Sequence, residues 1–386
     1  NDSIKLPNNA SNITIEGVFG ATFLKIKGAF NGIGTTGESP HYVKYIRIRN
    51  LVFDGDGLRE SGQNGINLGV ALYCTFENLI FLNAIHTMMR ITGSGNKIRI
   101  KGIYMPEYEG AKMPYFGIVI QRSEFVDFRH VYIYQTISTC IRFDNVKNAH
   151  VEMVRCSSST NEAIRTDWIG SEEYNSENIL FKKVHVWKGT HGIIFGSATK
   201  YGTITDCVVY NTINRGIQLH DCLYCKVVNN WIIDCGTDTE PQYGIYVGPA
   251  ADLDRGYNEI VGNHLIDTRT SKGMKGIYVD DTYPTRVKDN WFIDVLEPKL
   301  SWIGSPILEN NYGWLAKNTG TATIPAGSTS VTVNHGLGST PSKVLITPLA
   351  QPAGKLWVEN ITDTSFDIVT DTAPSADLNV AWYAEV

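Results

Sequence analysis

The chain has no apolar run approaching the roughly 20 residues that a membrane helix needs, so no membrane insertion is expected. Positive charge is not in excess: 34 Lys and Arg stand against 39 Asp and Glu, a formal net charge of −5. That balance argues against a general nucleic-acid binder, and no nucleic-acid partner is expected. The cysteines are not an even set, and seven cannot all pair within one chain. Cys222-Leu-Tyr-Cys225 has the spacing of half a zinc site, with His220 and Cys207 nearby, but no second pair stands at ligand spacing. Neither a metal nor a cofactor is therefore expected. Reduced thiols packed in strands are the better reading of Cys140, Cys156, Cys207 and Cys235. There is also no initiator Met and no signal-like start. The first residues, Asn12-Ile-Thr-Ile-Glu-Gly17 and Phe23-Leu-Lys-Ile-Lys27, already carry the strand pattern, so the chain reads as the C-terminal part of something longer.

What is present is a repeat. A small residue, Ile, any residue, an apolar residue and a polar or glycine residue recur from Gly65-Ile-Asn-Leu-Gly69 to Gly276-Ile-Tyr-Val-Asp280. Cys140-Ile-Arg-Phe-Asp144, Ala163-Ile-Arg-Thr-Asp167 and Gly216-Ile-Gln-Leu-His220 are among the copies, and Met88-Met-Arg-Ile-Thr92 is a looser one. From Gly117 on the period is 23 to 32 residues. A second strand follows in each unit, as in Asn78-Leu-Ile-Phe and Asn230-Trp-Ile-Ile-Asp, and a third precedes it, as in Asn258-Glu-Ile-Val. Asn at the strand head suits a tight corner, because it tolerates left-handed backbone. Three short strands per turn of this period predict an all-β fold, a parallel β-helix. Propeller blades need about 40 to 50 residues, and these units are too short.

The predicted domains are a solenoid over 1–312, a linker over 313–320 and an antiparallel β-sandwich over 321–386, where six alternating strands follow one another between turn residues. About 70 residues make a marginal domain, which oligomer contacts would support. Loops are expected at 28–39, at 105–114 and at insertions after Asp167, Asp234, Gly248 and Asp267. Asp252 and Asp254 are oxygen ligands of the kind Ca²⁺ takes, but carboxylates in a loop read more simply as solvated charge.

If the repeats stack in register, outward residues form columns about 4.8 Å apart. One column reads Asn67, Arg90, Val119, Arg142, Arg165, Ile194, Gln218, Tyr246, Tyr278, and another Gly69, Thr92, Gln121, Asp144, Asp167, Gly196, His220, Gly248, Asp280. Glu162, His191, Arg215 and Tyr243 lie just before the strands, and Asp221 just after His220. Like charges one above another are unfavourable in a sheet and call for a reason. Rows of carboxylates, arginines and aromatics suit an extended glycan. Hydrolysis of a glycosidic bond uses two carboxylates, for which Asp144, Asp167, Glu162 and Asp221 are the candidates. Arg142, Arg165, Gln218, His220, His191, Arg215, Tyr246 and Trp168 are candidates for binding the substrate, Trp168 from the insertion beside Asp167. The rival chemistry is β-elimination on a uronic-acid polymer, with Arg142 and Arg165 on the substrate carboxylate and His220, His191, Tyr246 or Arg215 as base. A third reading is a glycan-binding adhesin without catalysis, and a fourth a purely structural spike.

These repeats resemble the pectate-lyase-like, right-handed parallel β-helix superfamily, with Ser11-Asn-Ile-Thr-Ile-Glu-Gly17 similar to its opening rungs. The small C-terminal β module, around Thr323-Ile-Pro-Ala-Gly-Ser-Thr-Ser-Val-Thr-Val-Asn-His-Gly-Leu-Gly338, is similar to that of bacteriophage and prophage tail-spike proteins. The resemblance implies a homotrimer, a virion-tail or extracellular location and depolymerase activity on a bacterial surface or capsular polysaccharide. It also implies that the C-terminal module serves trimerisation or carbohydrate binding. His191-Gly192 and Arg99-Ile-Lys101 echo parts of the polygalacturonase pattern, but in the wrong order and without its paired Asp motifs. That family is not assigned.

Overall fold

The computed structural model describes residues 4–386 except 27–30, 36–41, 56–61, 84, 94, 107–112, 158–159, 168–175, 197–198, 249–255, 281–283, 304 and 316. Among the described residues there is no helix, and none long and apolar enough to cross a membrane. The chain coils as a parallel β-helix. One sheet stacks twelve strands in strict sequence order, from Ile4–Leu6 to Leu296–Ile303. The second and third strands of each coil form the other walls. They run together as one bent strand in the middle of the chain, as in Lys147–Ser157 and Glu177–Trp187. They separate later, as in Thr203–Thr205 and Val208–Tyr210.

The inward residues of all three walls make one continuous core. Ile66, Ile118, Ile141, Ile164, Ile193, Ile217, Ile245 and Ile277 are fully buried. The small residue before each Ile has a steric cause. A Cβ on Gly192 would collide with the Gly216 carbonyl oxygen of the next coil, and one on Gly276 with that of Lys299. The backbones approach closely there, so these coils need Gly, whereas Cys140, Ala163 and Met88 fill the equivalent position in other coils.

Asn at the strand heads does two different jobs. Asn50 and Asn78 are the corner residues expected, with φ of 59° and 54°, and Asn178, at 54°, is a further one. Asn230, Asn263, Asn290 and Asn311 are not. They are buried, and the left-handed residue is the one before each: Asn229, Gly262, Asp289 and Asn310. Their amides form a ladder along the helix axis. Each side-chain oxygen accepts from the backbone N–H and side-chain N–H of the coil before it, at 2.9 to 3.1 Å from Asn230 to Asn311.

The loop expected at 28–39 is corrected in part. Asn31–Thr35 is a rung, paired with Ile4–Leu6 and Asn64–Leu68, because Gly32-Ile33 is itself a small-residue–Ile step. The C-terminal module is a sandwich of two three-stranded antiparallel sheets around Phe366, Ile368, Val380 and Trp382. All six expected strands are present. The first runs Lys317–Ile324, so half of the stretch expected as linker is strand.

Candidate functional site

The register of the twelve-stranded sheet brings the expected columns together. Arg142, Arg165, Ile194, Gln218, Tyr246 and Tyr278 are successive strand partners. Gln121, Asp144 and Asp167 form the column beside them. It continues through Gly196, His220 and Gly248, whose amides donate to the carbonyls of Thr166, Phe195 and Leu219. At the other edge Glu162 pairs with His191. The registers Ile193–Ile217–Ile245 carry that edge to Arg215 and Tyr243.

The stacked like charges are resolved by diagonal pairing. Arg142 donates through Nε to Asp144 at 2.8 Å and reaches Asp167 at 3.5 Å with a terminal nitrogen. Arg165 bridges Glu162 and Asp167, each at 2.9 Å. Burial works against the Arg142 charge, but the hydrogen bond to Asp144 and the charges of Asp144, Asp167 and Glu162 outweigh it and raise its pKa. The side chains of Glu162 and Asp167 keep 14% and 15% exposure. Thr139 also donates to Glu162, at 3.4 Å.

Two of the four candidate carboxylates are not at the surface. Asp144, expected to point outward, is completely buried. Gln121 and Arg142 fold over it and take one oxygen each, both at 2.8 Å. Asp221 sits in a left-handed turn, φ 53°, and is only 6% exposed. Its carboxylate lies 3.3 Å from Nδ1 of His220. Each instead holds a more exposed neighbour, Asp144 the Arg142 side chain and Asp221 the His220 ring.

Between these two groups the columns carry short side chains, and this gap between longer ones is the notch of the sheet. Ile194 is buried and Gly196 has no side chain. One coil therefore separates Asp167 from His220, two strand spacings or about 9.6 Å. Glu162, Arg165 and Asp167 form one wall of this notch, and Arg215, Gln218, His220 and Tyr246 the other, with Gln218 largely buried. The missing side chain of Gly248 lets Tyr246 and His220 lie close against the backbone, since a Cβ there would stand 2.9 Å from the Tyr246 ring and 3.4 Å from His220. Tyr246 stacks on Tyr278 at 5.0 Å and carries the Arg215 guanidinium 3.5 Å above its other face. Burial lowers the pKa of Arg215 and, with Glu162 opposing and Arg215 and Arg165 assisting, that of His191, which is neutral at pH 7.

Trp168, Glu172, Glu173 and Tyr174 lie outside the described residues, as do Asp252, Asp254 and Arg255. The partners Thr139 and Asn214 escaped sequence reading, because only the fold brings them to Glu162 and His191. Among the described residues no group of three or more His, Cys, Asp or Glu is placed to hold a metal ion. All seven cysteines are buried, and burial pushes Cys74 and Cys235 up to about 11 and Cys207 to about 12.

A family model described as the right handed beta helix region matches residues 116–292 and, overlapping, 173–324. No curated protein matches the sequence. Solved structures similar to the chain include the Dettilon tailspike protein gp208, at 14% identity and TM-score 0.45, with 99% of this chain and 88% of that one covered. The tailspike protein gp49 from Pseudomonas phage LKA1 follows at 12% and 0.40, covering 89% and 67%. The A-module of the Azotobacter vinelandii mannuronan C-5 epimerase AlgE6 is similar at 12% and 0.46, covering 79% and 90%.

Proposed function

The chain belongs to the right-handed β-helix family, whose model spans more than half of it, and from that premise we propose that it is a polysaccharide depolymerase, hydrolysing glycosidic bonds of a bacterial surface or capsular polysaccharide. The observation that carries the reading is the pair Glu162 and Asp167. Both project from one strand, both are partly exposed at the lip of a notch, and one guanidinium bridges them. The bridge holds the bonded oxygens no more than about 8 Å apart, the guanidinium width plus two hydrogen bonds. Two-carboxylate hydrolysis works at about 5 to 9.5 Å. In this reading one carboxyl protonates the leaving oxygen, and the other attacks or activates water. His220, oriented by Asp221, and Gln218 hold the sugar on the facing wall, and Asp144 positions Arg142. We assign the chain to a homotrimer on a virion tail or other extracellular structure, with the C-terminal sandwich serving assembly or glycan contact.

The test is the mass and ultraviolet spectrum of products released from a panel of bacterial surface polysaccharides. Hydrolysis gives products one water heavier than the excised units, with no new absorbance. Unsaturated, absorbing products mean elimination and overturn the role given to the carboxylates. Asp167→Asn and Glu162→Gln are each expected to slow release by about 100-fold or more with unchanged circular dichroism, the scale of general acid–base catalysis. Equal rates would place the chemistry elsewhere.

A further inference from the structure

Hydrogen-bond donors outnumber acceptors at one corner of the notch. The Nε of Arg165 is buried and has no acceptor. His191 Nε2 lies 3.5 Å from the side-chain nitrogen of Asn214, and its Nδ1 is buried without a partner. With Nε2 accepting from Asn214, Nδ1 carries the proton and is a second donor without an acceptor. Arg215 supplies more. Its guanidinium is half-buried and lies on the Tyr246 ring, and among the described residues no carboxylate stands within ion-pair distance of it. Arg142 and Arg165, on the same sheet, are both committed to carboxylates. A half-buried cation without a counter-ion is unfavourable, and a ring face compensates only a part of that. Sugar hydroxyls can accept single hydrogen bonds, but they bring no counter-charge.

We propose that the corner formed by Arg165, His191, Asn214 and Arg215 is a subsite for the carboxylate of an acidic sugar, with Arg215 as the group that selects it. The subsite rests on the reading of this face as the substrate face and adds the chemistry of one sugar unit to it. The aromatic ring fixes the guanidinium plane, so its fork is presented ready-made to a planar two-oxygen group. Asp167 and Glu162 remain engaged by Arg165 and leave Arg215 to the ligand.

The experiment is saturation-transfer difference NMR on the full chain with three probes: D-glucuronate, D-glucose 6-phosphate and D-glucose. Transfer to glucuronate, falling with added salt and absent for glucose, is the expected result. Arg215→Gln should weaken glucuronate binding by about tenfold or more, the scale of a lost charge-assisted bond. Arg215→Lys should retain part of it, which keeps the assignment testable if the Gln variant does not fold. Equal transfer to glucose and glucuronate, or none to glucuronate, overturns the proposal. Binding of the phosphosugar alone overturns the carboxylate, and undiminished glucuronate binding by both variants overturns the location. Because binding needs no turnover, an inactive protein that binds glucuronate would refute the depolymerase reading and leave the subsite standing.

Discussion

At Asp144 the residue scale separates what a column of side chains shows from what it hides. The spacing Arg142-x-Asp144 and Arg165-x-Asp167 discloses two ion pairs two residues apart on one strand. It cannot disclose that Gln121, a coil earlier, closes over Asp144 and removes it from solvent. The diagonal from Arg142 to Asp167 was equally hidden, since it depends on side-chain rotamers and not on register. With both oxygens of Asp144 engaged, Asp144→Asn removes the charge and one of two acceptors, so Gln121 and Arg142 compete for a single oxygen and Asp167 is the one carboxylate left to Arg142. The expected loss is about 1–3 kcal/mol in chemical denaturation, because hydrogen bonds to charged groups are the strong ones. An unchanged midpoint would mean that the carboxylate charge contributes nothing to Arg142. The carboxylates that sequence reading could rank only as a set of four are thus divided by burial, Glu162 and Asp167 remaining at the surface.

The elements were the legible part. Strand period, small-residue–Ile steps and the order of strands follow from one steric rule repeated along the chain, and such repetition is visible without coordinates. The exception is the Asn ladder, where the same letter at the same place in the repeat is an exposed corner in early coils and a buried amide in late ones. The difference lies in the preceding residue, which takes the left-handed turn itself from Asn229 onward. Asn263 sits in the middle of the ladder, donating to Val227 and Asn290 and accepting from two nitrogens of Asn230. Asn263→Ala should cost about 3–5 kcal/mol, since it leaves the buried backbone N–H of Asn230 and the carbonyl of Val227 unpaired. Asn178→Ala, at an exposed corner, should cost about 1 kcal/mol through its backbone conformation. Equal melting shifts for the two would show that the ladder adds nothing.

The Asp267 loop gives a pH signature at the same scale. Despite burial, two bonds from the Arg269 side chain and the amides of Met274 and Gly273 pull its pKa down to about 2. A carboxyl depressed in the folded state adds stability above its unfolded pKa near 3.9 and loses it as pH falls through the folded value. The contribution, about 2 kcal/mol, should therefore disappear between roughly pH 4 and pH 2. It should be missing at every pH in Asp267→Asn, as read from denaturation midpoints across that window.

The whole molecule presents three unlike faces. One holds the notch. The second is a solvated face of opposite charges, with Lys226 2.8 Å from Glu259 and Lys147 3.8 Å from Glu177. The third is apolar along the helix axis. One of its stripes stacks Trp231, His264, Trp291 and Tyr312, and the next aligns Tyr210, Ile233, Ile266 and Ile293. The Trp231, His264 and Trp291 rings are nearly parallel, at 8° and 9°, so they cover one another's faces and turn their edges outward. That makes them a poor sugar platform, because a sugar packs on a ring face. Trp231, Trp291, Tyr210, Tyr312 and Ile293 are each 40–50% exposed. Large aromatic side chains carry about 150–250 Å² each. These five expose on the order of 400 Å², about half of the roughly 800 Å² per partner of a stable interface, so the stripes would form the centre of a larger one. A second copy of the chain fits better than a charged partner, since the stripes carry almost no charge to match. Sedimentation should show an oligomer, and Trp291→Asp with Ile293→Lys should shift it toward the monomer while the β-sheet dichroism is retained. A parent chain that stays monomeric at every concentration would leave this face without a subunit to cover it, and the notch would then have to work within one chain.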